Sequence, residues 1–322
     1  MTRAGGWTAT RMSRIVATEE TLAWEARQRP RAAFAALGAA LLLIASYVVS
    51  GIVFADVPGS RLLDAIGLAA DPGRVNEAQS LGGPRYQFYS DHAVEVIATS
   101  VVRATGFLLI GLALTFLAFA TRSRTSQFPR LALYVPIVGA VLSAISYVVS
   151  PIGTVLAVRE FLDGPRTVEA AQDVTTSSLV TTAALIGFVG QLAIALAFVL
   201  VCLNAMRVGL LTRFMGVLGI LSGVLTLIPV GSPLPVVQCF WLGALGVLFL
   251  GRWPKGQPPA WRTGQAEPWP TQQQMREART GSSGSTGPTK RDKGSVAAVA
   301  ASGAERSAPH PASKKRKRKR RA

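Results

Sequence analysis

His92, Glu95, Thr99 and Arg103 follow one another at spacings of three, four and four. In an α-helix that spacing stacks all four on one face. An imidazole, a carboxylate, a hydroxyl and a guanidinium on one stripe of an apolar stretch make a pattern for a polar cleft. Such a cleft would bind an anionic or polar ligand at Arg103. Arg103 lies 12 residues beyond Asp91, about 18 Å along a helix. An arginine deep in hydrocarbon costs roughly 2.5–3.5 kcal/mol on insertion scales. It must therefore face protein and find partners, and Tyr47, Tyr147 and Gln191 are candidates on neighbouring helices. Gln191 is the only amide deep in an apolar stretch; it joins the candidate ligand set, although such amides more often bridge helices. In the alternative arrangement residues 91–102 form an external helix and Arg103 snorkels out to water.

Other chemistry is missing. There is no His-Glu-x-x-His, no Gly-x-Ser-x-Gly and no Gly-x4-Gly-Lys-Ser/Thr, the patterns of metalloproteases, acyl-transfer nucleophiles and phosphate-cradling loops. With only His92 and His310, and with Cys202 and Cys239 separated, His and Cys cannot assemble a zinc set. Proton-coupled transport normally uses intramembrane acids, and only Glu95 stands at the edge of a span. The chain is therefore expected to be no enzyme, with no catalytic residues, no metal and no cofactor. Cys202 and Cys239 are expected at different depths, as inert thiols rather than a disulfide.

The strongest local signal is the run Lys314, Lys315, Arg316, Lys317, Arg318, Lys319, Arg320, Arg321. Near an anionic leaflet each cation contributes at most about 1 kcal/mol. Anionic lipid headgroups are the expected partner, and a ribosome or nucleic acid is the alternative, because phosphate binding by such runs is unselective.

The elements that position these residues follow from composition. Of 322 residues, 49% are hydrophobic and only 16% charged, yet the net charge is +17. Soluble domains hold about 25% charged residues. Residues 32–250 carry almost all the apolar mass, and the last 72 residues carry most of the net charge. Crossing a bilayer takes about 20 consecutive apolar residues, and apolar runs in lipid become helices because every backbone polar group must be paired internally. Six spans are predicted: Ala32–Ala55, Ile97–Ala120, Leu131–Ser150, Leu179–Leu203, Gly216–Val230 and Leu234–Leu250. The last two are short and joined by Gly231-Ser232-Pro233; a single re-entrant hairpin is the alternative. The expected fold is an all-α polytopic transmembrane bundle.

Basic residues orient it. Met1–Arg31 has six Arg and three Glu, and Gly251–Ala322 has 17 basic and four acidic residues. The loops holding Arg122, Arg124 and Arg130, and Arg207 and Arg213, contain no acid. Asp56–Asp91 has three Arg against five acids, and Arg159–Asp173 two against four. Both termini are thus expected in the cytoplasm, with two acidic loops outside.

Four regions are expected. Residues 1–31 form a cytoplasmic segment with an amphipathic helix, capped by Thr18 and ended before Pro30, with Leu22 and Trp24 at the interface. Residues 32–250 form the membrane domain. Residues 251–279 form a strap in which Trp253, Trp261 and Trp269 recur every eight residues. Its prolines favour extended, polyproline-like backbone along the cytoplasmic face, with a short helix over Thr271–Arg279. Residues 280–322 form a disordered basic tail. Ser46-Tyr47-Val48-Val49-Ser50 recurs as Ser146-Tyr147-Val148-Val149-Ser150, and Leu109-Ile110-Gly111 recurs as Leu185-Ile186-Gly187. Duplication of a two-helix unit would produce this, as would coincidence in a restricted alphabet. Small residues at Gly139/Ser143 and Gly219/Gly223 suit close helix packing, within one chain or in a homo-oligomer.

At Arg207-x-Gly209-Leu210-Leu211-x-Arg213-x-x-Gly216-x-Leu218-Gly219-Ile220-Leu221-x-Gly223 the chain resembles an uncharacterised family of bacterial six-helix integral membrane proteins. The likeness takes in helix number and the acidic outer loop, over about residues 32–250. It implies a multi-pass protein of the bacterial plasma membrane and brings no activity with it. The function expected is the binding or moving of a small molecule or lipid; the alternative is a non-catalytic anchor or interaction protein.

Overall fold

The computed structural model describes residues 5–59, 66, 70, 80–125, 128–227, 235–254 and 256–269, with the side chains of all except 5–18 and 131. Helix, and no strand, makes up the regular structure of these residues. The helices are α1 (Gly5–Val53), α2 (Gly83–Asp91), α3 (Ala93–Arg122), α4 (Val135–Asp163), α5 (Val168–Thr176), α6 (Ser178–Arg207), α7 (Arg213–Leu227), α8 (Val236–Phe249) and α9 (Pro259–Thr263). A 3-10 turn at Arg130–Leu133 leads into α4.

Four helices are long and apolar enough to cross a membrane, namely α1, α3, α4 and α6. Large apolar side chains also cover the outside, including Phe34, Leu112, Phe188 and Phe240, each more than half exposed. Helices apolar on both faces suit hydrocarbon as the surrounding medium. The shorter α7 and α8, of 15 and 14 residues, are about 22 and 21 Å long at 1.5 Å per residue.

Six helices close a ring in which α1 packs on α3, α3 on α4, α4 on α6, α6 on α7, α7 on α8 and α8 on α1, while α3 touches α6 across the middle. The centre is filled by Leu114, Leu117, Ile194, Phe198, Trp241 and Leu245, all 1% exposed or less. The α4–α6 seam is the tightest: a Cβ on Gly139 would lie 2.7 Å from the Ile194 amide, and one on Gly190 would lie 2.6 Å from the Ser143 amide. Backbones this close leave room for no side chain, as the small-residue faces predict.

Several boundaries differ from expectation. The N-terminal helix does not stop before Pro30 but runs on through it to Val53. Proline removes one backbone hydrogen bond at some cost to the helix. Trp24, Glu25 and Arg29 before it, and Ala33 after it, are all held by the rest of the bundle. Residue 18 lies inside this helix rather than before it, and its side chain is outside the described set. Trp24 packs against α3: its ring stacks on Phe116 at 5.7 Å and meets Phe119 edge-on at 6.2 Å.

The third span likewise runs past Ser150 and through Pro151 to Asp163. This extension carries Val158 and Phe161 under α2 and α5, where Val174 joins them. Tyr86 meets Phe161 at 4.8 Å, and its hydroxyl donates to the Ala171 carbonyl. The segment expected as the second acidic loop is therefore largely helical. The second span is one continuous helix from Ala93 to Arg122, with its only break at His92. Gly231-Ser232-Pro233, the Thr271–Arg279 helix and everything beyond lie outside the described residues.

Candidate functional site

Among the described residues, buried or half-buried charged side chains gather around Arg103 and at the opposite end of α3.

Arg103 projects from α3 between α1 and α4. Its Cζ lies 4.4 Å from the centroid of the Tyr47 ring and 5.7 Å from that of Tyr147. Its Nη2 donates to Ser50 Oγ at 3.3 Å, while Nε is buried with no partner. The recurring Ser-Tyr-Val-Val-Ser segments thus form the two walls around one cation, each contributing its tyrosine. The second echo does not behave this way. Gly111 approaches Ala140 and Gly187 approaches Ser146, so both pack on α4. A duplicated helix pair would instead set Gly111 against α1.

The remaining expected ligands do not converge. His92 closes the break between α2 and α3; its ring stacks on Phe88 at 4.1 Å, and Nδ1 faces the Phe88 carbonyl at 3.0 Å. A carbonyl can only accept, so Nδ1 carries the proton. Thr99 is buried, but its hydroxyl donates to the Glu95 and Val96 carbonyls of its own helix. The Glu95 side chain is exposed. Gln191 is half-buried on α6, with no contact to Arg103 among the described residues. Of the five, only Arg103 has the surroundings of a site, and those surroundings are rings packed on it. No group of three or more His, Cys, Asp or Glu able to hold a metal occurs among the described residues. Cys202 and Cys239 are both buried and free.

The second group was not anticipated. Glu25, 2% exposed, is paired with Arg124, whose side chain is fully buried. Arg124 Nη1 meets Glu25 Oε1, and Nη2 donates to Oε2 at 2.8 Å. Nε and Nη2 also donate to the Ala260 carbonyl at 3.1 and 2.9 Å. A bidentate pair with its remaining donors used is the geometry that offsets the burial of charge. Trp261, 3% exposed, lies beside both cations: Arg29 Cζ is 4.5 Å and Arg124 Cζ 5.3 Å from its ring. Arg29 also donates to Gln257 Oε1 and the Leu248 carbonyl. Phe116 stacks on the same indole at 6.1 Å.

The turn between α6 and α7 receives the other side of the strap. Gly209 has φ +81°, and a Cβ there would lie 2.0 Å from the Glu267 carbonyl oxygen. Only glycine meets both demands. The turn offers three carbonyls. Val208 accepts from the Glu267 amide at 3.0 Å, Leu210 from Trp261 Nε1 at 2.9 Å and Leu211 from Trp269 Nε1 at 2.8 Å. The Arg207–Arg213 motif is thus the dock for the Trp/Pro strap. The strap is not extended throughout: Pro258 is polyproline-like at φ −52°, ψ 140°, but Pro259–Thr263 is helical and closed by Gly264 at φ 68°. Turning this segment helical directs Trp261 inward, where its N–H finds a carbonyl. Glu25 gave a weak sequence signal, as an acid among arginines; nothing local pointed to Arg124 as its partner, 99 residues away.

A cleft of about 690 Å³ opens at this same end, lined by Arg122–Thr125 and Phe128–Arg130. It is some 20 residues along α3 from Arg103, about 30 Å at the helical rise. Arg103 itself lies half-buried between Tyr47 and Tyr147.

No protein-family model, curated protein or solved structure matches this chain.

Proposed function

We propose that the chain is an integral, non-catalytic protein of the bacterial plasma membrane, with six spans and both termini cytoplasmic, acting as an anchor. Its bundle holds the Trp/Pro strap and presents the tail Lys314–Arg321 to an anionic surface. The observation that carries this is Trp261: one indole is held by two guanidiniums, a stacked phenylalanine and a backbone carbonyl. A binding groove would leave such an aromatic available. Here it is spent on fastening the strap, and Trp269, at the end of the described residues, is fastened too.

Six spans, rather than four and a hairpin, require α7 and α8 to complete their crossings through residues 228–235. A single cysteine placed at Ser232, on a chain with Cys202 and Cys239 replaced, should react with a membrane-impermeant maleimide from the outer side of intact cells. Protection there supports the re-entrant hairpin. For the tail, chains reconstituted in zwitterionic nanodiscs should co-sediment with anionic vesicles and lose this on deletion of Lys314–Ala322. Co-sedimentation with ribosomes but not vesicles would transfer the assignment to nucleic acid.

Ligand binding at Arg103 is the second proposal, favoured by the buried Nε without a partner. Replacing Arg103 by Leu and following folding and thermal shifts with small organic anions tests it; unchanged behaviour in both ends it.

A further inference from the structure

We propose that the cleft between the end of α3 and the 3-10 turn binds the phosphate of an anionic phospholipid headgroup. The cleft, of about 690 Å³, is open to its surroundings, as a headgroup site at a membrane surface needs to be. Arg122, Arg130, Ser123 and Thr125 line it, Phe128 contributes an apolar wall, and no carboxylate among the described residues does. The nearby acid, Glu25, is spent on Arg124, and Arg124 is spent on Glu25 and the Ala260 carbonyl. Two cations therefore remain to define the charge of the cleft. Arg122 is braced across the loop by Nη1 donating to the Phe128 carbonyl at 2.8 Å, which leaves its other N–H groups for a ligand. Arg130 is exposed and has no partner among the described residues. Guanidinium forks match phosphate oxygens in pairs.

A lipid is favoured over free phosphate by the flanks. Phe119, one turn before Arg122, is 43% exposed, and Tyr134, one turn after Arg130, is 60% exposed. Apolar surface beside a phosphate site suits acyl chains. This inference rests on α3 and α4 spanning the membrane.

The test uses the chain without Lys314–Ala322, so that the tail contributes nothing. Its thermal unfolding in neutral detergent is titrated with dioctanoyl phosphatidylglycerol, dioctanoyl phosphatidylcholine and inorganic phosphate. Phosphatidylglycerol should raise Tm saturably, by about 4 °C, and the other two should not. Arg130→Gln, an exposed change that leaves the fold intact, should abolish most of the rise, and Arg122→Gln should do the same. An equal rise with phosphatidylcholine overturns the site. So does a full response retained in Arg130→Gln. An equal rise with inorganic phosphate overturns the lipid assignment. Failure of the tail or of the six-span topology appears in the nanodisc and labelling experiments, separately from this titration.

Discussion

Arg103 and Arg124 are both arginines held inside one bundle, and they are held in opposite ways. Arg124 has a carboxylate, two backbone carbonyls and an indole around a fully buried side chain. Arg103 has two phenol rings, one hydroxyl and, among the described residues, no acid. The first is a fastening between distant parts of the chain, since Glu25, Arg124 and Ala260 share one cluster. The second is a cation lodged between two copies of a short motif. Burying a charge with a hydrogen-bonded counter-ion makes each partner depend on the other. Burying it against ring faces uses weaker contacts of about 0.5–2 kcal/mol each. The end of the bundle is therefore the region most sensitive to single changes, and the Arg103 region the more tolerant.

The largest effect is expected from Glu25→Ala, which strands the Arg124 guanidinium. Unfolding in detergent should show a loss of about 3–5 kcal/mol. Adding Arg124→Gln should restore part of it, because the stranded charge goes too. A loss below 1 kcal/mol would make the pair incidental. Next, Gly209→Ala sets a methyl group into the Glu267 carbonyl and forces a positive φ, for about 1–2 kcal/mol of backbone strain before any clash. Trypsin should then cut at Arg262 well before the bundle unfolds; unchanged resistance would mean that the strap is not held by this turn. Trp261→Phe keeps an aromatic ring but leaves the Leu210 carbonyl unpaired, at about 1 kcal/mol, and should produce a weaker form of the same sensitivity. Smallest is Arg103→Leu. Lost ring and hydroxyl contacts are offset by removing a cation whose buried Nε has no partner, so stability should stay within about 1 kcal/mol of the parent. A collapse comparable to that of Glu25→Ala would erase the contrast between the two regions.

The helices themselves were legible. Long apolar runs dictate membrane-competent helices, and the observed α3, α6, α7 and α8 begin and end within four residues of the expected spans. Pro30 misled as a helix stop, since α1 passes it, and α4 likewise passes Pro151 beyond the expected end of its span. A proline stops a helix only where nothing else holds the next turn, and here both flanks are packed. The polar stripe of α3 was legible as a face but not as a site. Thr99 satisfies itself within the helix, and His92 serves the helix break. The role of Arg103 needed partners from two other helices.

Composition and the order of apolar runs determined the helical class and the long apolar helices, four of which are able to cross a membrane among the described residues, because the penalty for unpaired backbone in hydrocarbon acts on each segment by itself. Tertiary structure alone decided that Glu25 meets Arg124, that Trp261 lies beside both Arg29 and Arg124, and that of the three candidate partners it is Tyr47 and Tyr147 that enclose Arg103. Those contacts join residues 44 to 232 positions apart. Side-chain chemistry says what each can bond to, but only the packed arrangement of helices says which partner arrives.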